Sequence, residues 1–323
     1  MPTGSREITL RFLAAPMDAT LSGAVHAGKV LEWIDKAGYA CAVGWSGRYC
    51  VTAYVGNIHF AQPVVIGQLV EVRAQLIYTG RTSMHMWVSV HAADPTEGQF
   101  VQTTQCLVIF VAVDSVGKST PVPRWEPVTV EDRALEQDAI CRIQLRKEIE
   151  DAMARQRYTA ATQARDITLR FLAAPTDVNW GGKVHGGTVM RWIDEAAYVC
   201  AVGWSGRPCE AVYAGGVRFY QPLLIGHMVE LQARLIYTEG TRMHIAVHVR
   251  SGDPKDGQMT VTTHCLIVFV APDGTGQPIE VPPWQPRTEE DRALEQHAMH
   301  LVELRRRVSA ACSADNQLPK HST

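Results

Sequence analysis

The chain has 323 residues, 46% of them apolar and 20% charged, with a formal net charge of −2 when histidine is neutral. That balance suits a soluble globular protein with room for two ordinary single-core domains and lacks the basic stripe of a nucleic-acid binder. The longest apolar run, CLVIFVAV at 106–113, is far too short to span a bilayer, and the opening MPTGSREITLRF lacks the apolar core of a signal peptide, which together predict a cytoplasmic protein with no membrane span and no nucleic-acid partner.

Residues 8–14 read as a strand, followed by a loop rich in Pro, Asp and Gly that runs to residue 28. From Lys29 to about Val43 the apolar residues Val30, Trp33, Ile34, Ala37, Ala40 and Cys41 recur at helical spacing, and Gly44 is the expected stop. Strand-like stretches follow at 51–60, 69–78, 83–92 and 103–113. In the third, Met84, Met86, Val88 and Val90 alternate with His85, Trp87, Ser89 and His91, placing the histidines on the face away from the core. The charged stretch 128–157 reads as an exposed helix, solvated or packing, that links the two units.

An offset of 159 residues then carries the whole pattern onto itself without a gap: ITLRFLAAP at 8–16 returns at 167–175, and VEDRALEQDA at 130–139 returns as EEDRALEQHA at 289–298. The unit that repeats is therefore a domain with its own C-terminal helix. The expected organisation is a first domain at 1–157, a linker at 158–165, a second domain at 166–311 and a disordered tail at 312–323. Each domain is α+β, an antiparallel sheet of about five strands wrapped around one long helix, because that arrangement buries an apolar helix and one sheet face together. Cysteines fall at equivalent places (Cys41 and Cys200, Cys50 and Cys209, Cys106 and Cys265) in apolar segments, which favours buried thiols over disulfides. No Cys-x-x-Cys spacing implies a metal. Trp33 and Trp192 read as core packing, and His244 and His248, like His85 and His91, as solvent or interface residues.

Two features carry chemistry. His185-Gly186-Gly187 directly precedes a helix, where exposed backbone N–H groups meet the positive end of the dipole. Such donors hold a developing oxyanion, and Gly187 is the expected one. Asp35 and its equivalent Asp194 are carboxylates inside apolar helical runs. Asp35 falls about 140° from the centre of its apolar face, so it points off its own sheet toward the other repeat. A desolvated acid there is a general base for water or a nucleophile forming an anhydride, and sequence leaves both open; a structural role is the alternative for Asp194. His26 and His185 are read as orienting the backbone more than as bases. No Gly-x-Ser-x-Gly is present, against a serine hydrolase.

Asp177, Asn179, Gly182, His185, Gly186 and Gly187, followed by Trp192-Ile193-Asp194, together with Gly80-Arg81-Thr82-Ser83-Met84, make the chain resemble the hotdog-fold acyl-CoA thioesterases with two fused hotdog domains. The resemblance implies hydrolysis of acyl-CoA to free fatty acid and CoA, with each site drawing its loop from one repeat and its acid from the other. One site then combines Asn179, His185, Gly186 and Gly187 with Asp35. The other combines Thr20, His26, Ala27 and Gly28 with Asp194, where Thr20 stands for Asn and Ala27 for Gly, the mark of a site that has decayed. Arg81, with Thr82 and Ser83, is a candidate for a CoA phosphate, since a guanidinium pairs bidentately with phosphate, and an exposed turn arginine is the equal alternative; repeat 2 has lost this stretch, reading Glu239-Gly240-Thr241-Arg242. The resemblance further implies no cofactor beyond the CoA of the substrate, and a homo-oligomer, a trimer of fused pairs. The competing functions are a non-catalytic acyl-CoA-binding or assembly module and an enoyl-thioester hydratase.

Overall fold

The structure is a computed structural model that describes residues 5–20, 23–156, 158–159 and 161–311; the tail expected at 312–323 lies outside the described residues. Repeat 1 runs β1 (Glu7–Leu13), α1 (Ala27–Ser46), β2 (Cys50–Val55), β3 (Ile58–His59), β4 (Leu69–Thr79), β5 (Ser83–Ala93), β6 (Val101–Ala112) and α2 (Val130–Arg155). Repeat 2 runs β7 (Asp166–Leu172), α3 (Gly186–Ser205), β8 (Glu210–Phe219), β9 (Met228–Glu239), β10 (Arg242–Gly252), β11 (Thr260–Pro272), β12 (Pro278–Ile279) and α4 (Glu289–Ala311). Among the described residues no helix is long and apolar enough to cross a membrane.

The helix expected from Lys29 to Val43 extends at both ends. It continues through Gly44, and its stop is Gly47, whose φ of 62° places it in the left-handed conformation that closes a helix C-terminus. The core-facing residues of β5, Met84, Met86, Val88 and Val90, are fully buried in one cluster with Ile34, Ala37 and Cys41 of α1. Trp33 and Trp192 belong to the same core, as predicted. The six equivalent cysteines are buried and free. Burial pushes the thiols of Cys41 and Cys200 up to about 12, leaving them inert.

Each repeat contributes five main strands, ordered β1-β4-β5-β6-β2 and β7-β9-β10-β11-β8, and the two sets merge into one twelve-stranded sheet. The seam is the pairing of β2 with β8 at Tyr54↔Arg218 and Val55↔Val217. It brings α1 and α3 into contact along one face of the sheet, so close that a Cβ at Gly28 would stand 2.7 Å from Arg191 Cα and one at Gly187 would stand 2.8 Å from Glu32 Cα. Only glycine permits that approach, which accounts for its presence at this position in both repeats.

The charged helices are not simply exposed. α2 covers the opposite face of the sheet, packing Leu135 and Ala139 onto Trp87, Leu107 and Ile109, while Ile149 and Met153 reach repeat 2. α4 lays Leu294, Ala298 and Leu301 onto Ile236, Ala246 and Leu266. Consequently His85 and His244, expected at solvent or an interface, are buried, and His91 and His248 are half-buried. Their face is polar by sequence but roofed by amphipathic helices, whose apolar stripes are diluted among many charges.

Candidate active site

The N-terminus of α3, at the α1–α3 crossing, faces Asp35 of α1. The carboxylate is 1% exposed and each oxygen is held. Thr52 of β2 donates its hydroxyl to Oδ1 at 2.6 Å. The Gly187 N–H reaches Oδ2 at 2.8 Å, and His185 Nδ1 stands 2.7 Å from that same oxygen. The proton belongs on Nδ1, because a lone pair there would face the carboxylate at that distance. The Gly187 N–H also lies 3.2 Å from Nδ1, and with Nδ1 protonated it is the carboxylate that accepts it. Burial alone would lower the His185 pKa, but the hydrogen bond and charge of Asp35 outweigh it and hold the imidazole above its ordinary value. The other ring nitrogen, Nε2, is buried with no partner among the described residues.

Gly187, expected to hold an oxyanion, thus spends its N–H on Asp35. The Gly186 amide has no partner among the described residues, and Gly186, not Gly187, lines a cavity of about 240 Å³ shared with Asp35, Thr52, Asn179 and His185. A side chain at 186 would collide with Thr52, a Cβ standing 2.8 Å from its Oγ1.

Asn179 organises the loop before α3. Its Oδ1 accepts the N–H of Gly181 at 2.9 Å and of Lys183 at 3.1 Å, and the Tyr49 hydroxyl of repeat 1 at 3.0 Å. Its Nδ2 has only a long contact, 3.5 Å, to Val184 O. Trp180, 73% exposed, stacks on Tyr39 of repeat 1 with ring centroids 4.7 Å apart. Gly181 lies flush against the Tyr49 ring, with no room for a Cβ. The loop is clamped onto the other repeat by two tyrosines.

The sister site has the same topology and fewer fittings. The Gly28 N–H donates to Asp194 Oδ2 at 2.9 Å, but His26 Nδ1 stands off at 3.9 Å. Ala211 occupies the position of Thr52, Pro208 that of Tyr49, Ala27 that of Gly186 and Thr20 that of Asn179. Burial with little compensation pushes the Asp194 carboxyl up to about 7, and burial lowers His26. Both groups are thereby driven toward their neutral forms, whereas Asp35 and His185 are closely paired.

Thr52 and Tyr49 were not singled out from sequence. The signal was available, since both differ from their repeat-2 equivalents just as Asn179 and Gly186 differ from theirs in repeat 1. Arg81, Thr82 and Ser83 do not enter the cavity. They form the β4–β5 turn, where Ser83 pairs with the cavity-lining Val111 and the carbonyl of Arg81 accepts Val122 N–H at 3.1 Å. Among the described residues no three His, Cys, Asp or Glu side chains converge as a metal site.

The chain is 24% identical to a cytosolic acyl coenzyme A thioester hydrolase of Mus musculus, over 88% of this chain and 79% of the relative. It is 34% identical to an acyl-CoA thioester hydrolase of Salmonella typhimurium over 38% of this chain and 93% of that one. Among solved structures, an acyl-ACP thioesterase from Bacteroides thetaiotaomicron superposes with a TM-score of 0.54 over 82% of this chain and 98% of its own, at 11% identity, a likeness of fold. The family model of the thioesterase superfamily matches twice, at residues 22–99 and 181–273, once in each repeat. With the helix, the loop and the acid each present in duplicate, the chain belongs to the thioesterase superfamily.

Proposed function

We propose that the protein hydrolyses acyl-CoA thioesters to free acid and CoA at one composite site, built by Asp35 and Thr52 from repeat 1 and by Asn179, His185, Gly186 and Gly187 from repeat 2. The observation that carries this reading is the contact of Asp35 with His185 and the Gly187 amide across the repeats, beside a cavity that a thioester can enter. The family membership and the hydrolase relatives support it.

In this reading the thioester carbonyl oxygen lies against the Gly186 N–H and Asn179 Nδ2, donors fixed before the reaction and therefore effective for the charge that develops. Nε2 is closed to solvent in the resting site, so the step needs the loop before α3 to open enough to admit one water. That water attacks the carbonyl carbon and gives its proton to His185 Nε2, while Asp35 keeps Nδ1 protonated and stabilises the imidazolium. The tetrahedral intermediate collapses, the C–S bond breaks, and His185 returns the proton to the thiolate. Asp35 orients the base in this scheme. Attack by Asp35 itself would compete with the hydrogen bonds that hold each of its oxygens, one on Oδ1 and two on Oδ2.

A free-thiol assay across short, medium and long acyl-CoAs tests the activity. Asp35→Asn and His185→Gln are expected to lower kcat by at least about 10²-fold, in the range for a positioned acid or base, and Asp194→Asn to retain most of it. Equal losses at Asp35 and Asp194 would overturn the single-site reading.

CoA enters as part of the substrate and no cofactor takes part, which activity surviving exhaustive chelation and dialysis would support. The cytosolic name of the mouse relative supports a cytoplasmic location, to be checked by fractionation. Assembly into trimers of the double-repeat chain fits the apolar residues left exposed at equivalent places, Leu13 with Leu172 and Val65 with Leu224; light scattering giving a monomer mass would exclude it.

A further inference from the structure

The loop that carries Asn179 differs from its repeat-1 counterpart at one more polar position, Lys183 against Ala24. Lys183 is half-buried and lines the cavity of the composite site. Its backbone is pinned, with its N–H on Asn179 Oδ1 at 3.1 Å and its carbonyl accepting Asn179 N–H at 2.6 Å. Its ammonium rests over the turn at Gly117, where a Cβ would lie 3.5 Å from Nζ. Among the described residues no carboxylate lies within 4.0 Å of that nitrogen. A partly desolvated cation with no anion is unfavourable in the free protein and is retained where a ligand supplies the negative charge.

The surroundings extend the pattern. Arg48, Arg81 and Lys118 are exposed on loops knitted into the same rim: Val113 N–H bonds Tyr49 O at 3.0 Å, Asp114 N–H bonds Lys118 O at 2.9 Å and Val122 N–H bonds Arg81 O at 3.1 Å. The acid of that hairpin, Asp114, is occupied in capping the N–H groups of Val116 and Lys118. At the sister site the four equivalent positions are Ala24, Arg207, Gly240 and Gln277, so a single cation remains. The charge has been kept beside the site that kept Thr52, Asn179 and Gly186.

We propose that Lys183 binds a phosphate of the nucleotide carrier of the thioester, with Arg48 and Lys118 as its outer rim; this rests on the hydrolase reading above. An anionic group on the acyl chain is the other source of such charge, but the cations continue outward onto exposed loops. The rest of the cavity lining is largely apolar, including Val51, Val111, Val189, Phe219 and Leu223. A group of several charges reaching toward solvent fits that gradient.

The test compares an acyl-CoA with the matching acyl-pantetheine, which keeps the thioester and lacks every phosphate, and with succinyl-pantetheine, which places a carboxylate on the acyl side. Lys183→Ala is expected to raise KM for acyl-CoA on the order of tenfold, the worth of one charge-assisted contact, with less than about threefold change on acyl-pantetheine, and Lys183→Arg to restore most of the loss. Equal effects on both substrates, or none, overturn the proposal; a loss confined to succinyl-pantetheine assigns Lys183 to an acyl carboxylate and overturns it too. Should the unmutated protein release no thiol from any substrate, the hydrolase reading fails, and calorimetry with CoA alone still decides the role of Lys183. A dissociation constant unchanged in Lys183→Ala refutes it.

Discussion

Acid should release the outer helix of repeat 2 before that of repeat 1. Under α4 the structure holds four imidazoles: His244 and His248 on β10, pushed down to about 3, and His264 on β11 and His297 on α4, pushed down to about 4. Burial is the main cause in each case, and the charges facing them are cationic, Arg305 and Arg242 around His244, Arg234 and Arg250 around His248, Arg218 beside His264 and His300 beside His297. The docked state keeps these rings neutral. Their contribution is therefore complete above the ordinary histidine value near 6.5 and is lost as the pH falls from there toward 4 and 3. At pH 5 each ring that recovers an ordinary pKa on release favours the released state by about 2 kcal/mol. Four together reach on the order of 8 kcal/mol, comparable with the whole stability of a domain. Under α2 the equivalent positions are His85, Ser89, Gln105 and Asp138; of these His85 alone is an imidazole, held at about 3. The assay is hydrogen exchange read by mass spectrometry after incubation between pH 7.5 and 5. Peptides from α4 are expected to lose protection between pH 6 and 5 while the N-terminal half of α2 keeps it, and installing the repeat-1 residues, His248→Ser with His264→Gln, is expected to move the transition to lower pH. Loss of both helices at one pH, or a double variant with an unmoved midpoint, would refute the reasoning.

Three further outcomes follow from the site. Gly186→Ala places a methyl 2.8 Å from Thr52 Oγ1 and is expected to cost about 1–3 kcal/mol by overpacking, but under about 1 kcal/mol in a Thr52→Ala background, since Ala27 and Ala211 are that pair in the sister site; additive melting temperatures would contradict it. The pH profile of kcat/KM should rise through a value above the ordinary histidine value near 6.5, as His185 loses a proton that Asp35 stabilises. In Asp35→Asn the residual limb should move to lower pH, and a profile unmoved by the substitution would exclude His185 as the base. Asp194, pushed up to about 7 by burial, costs stability that grows as pH rises from its unfolded value near 4 and is complete above 7. Asp194→Asn should therefore raise the melting temperature at pH 8 and do so less at pH 5, as differential scanning calorimetry would show.

Much of this was legible in the residues. The gapless offset exposed the duplication, the helical spacing around Trp33 and Ile34 located α1, and the angle of Asp35 off its apolar stripe pointed it across to the other repeat, where His185 and Gly187 meet it. What stayed hidden depended on relations that periodicity does not encode. The merging of two sheets at Tyr54 and Val55 is a pairing between strands more than 150 residues apart. The burial of His85 and His244 follows from helices whose apolar stripes are masked by charge. The amide left without a partner among the described residues is that of Gly186 and not the expected Gly187, because the helix crossing brings Asp35 within 2.8 Å of the latter, a register of one residue that no motif resolves. Thr52 belongs to a strand with no motif and is found only by asking which other positions differ between the halves.

The seam between β2 and β8 has a consequence for how such a chain can change. Paired with a copy of itself, repeat 1 would supply Asp35 and Thr52 twice and meet only Thr20, His26 and Ala27; repeat 2 would offer two complete loops to Asp194 and Ala211. Neither homodimer regenerates the composite arrangement of Asp35 and Thr52 with Asn179, His185 and Gly186. On the single-site proposal the two unlike halves must therefore meet one to one, and carrying both on one polypeptide guarantees that stoichiometry.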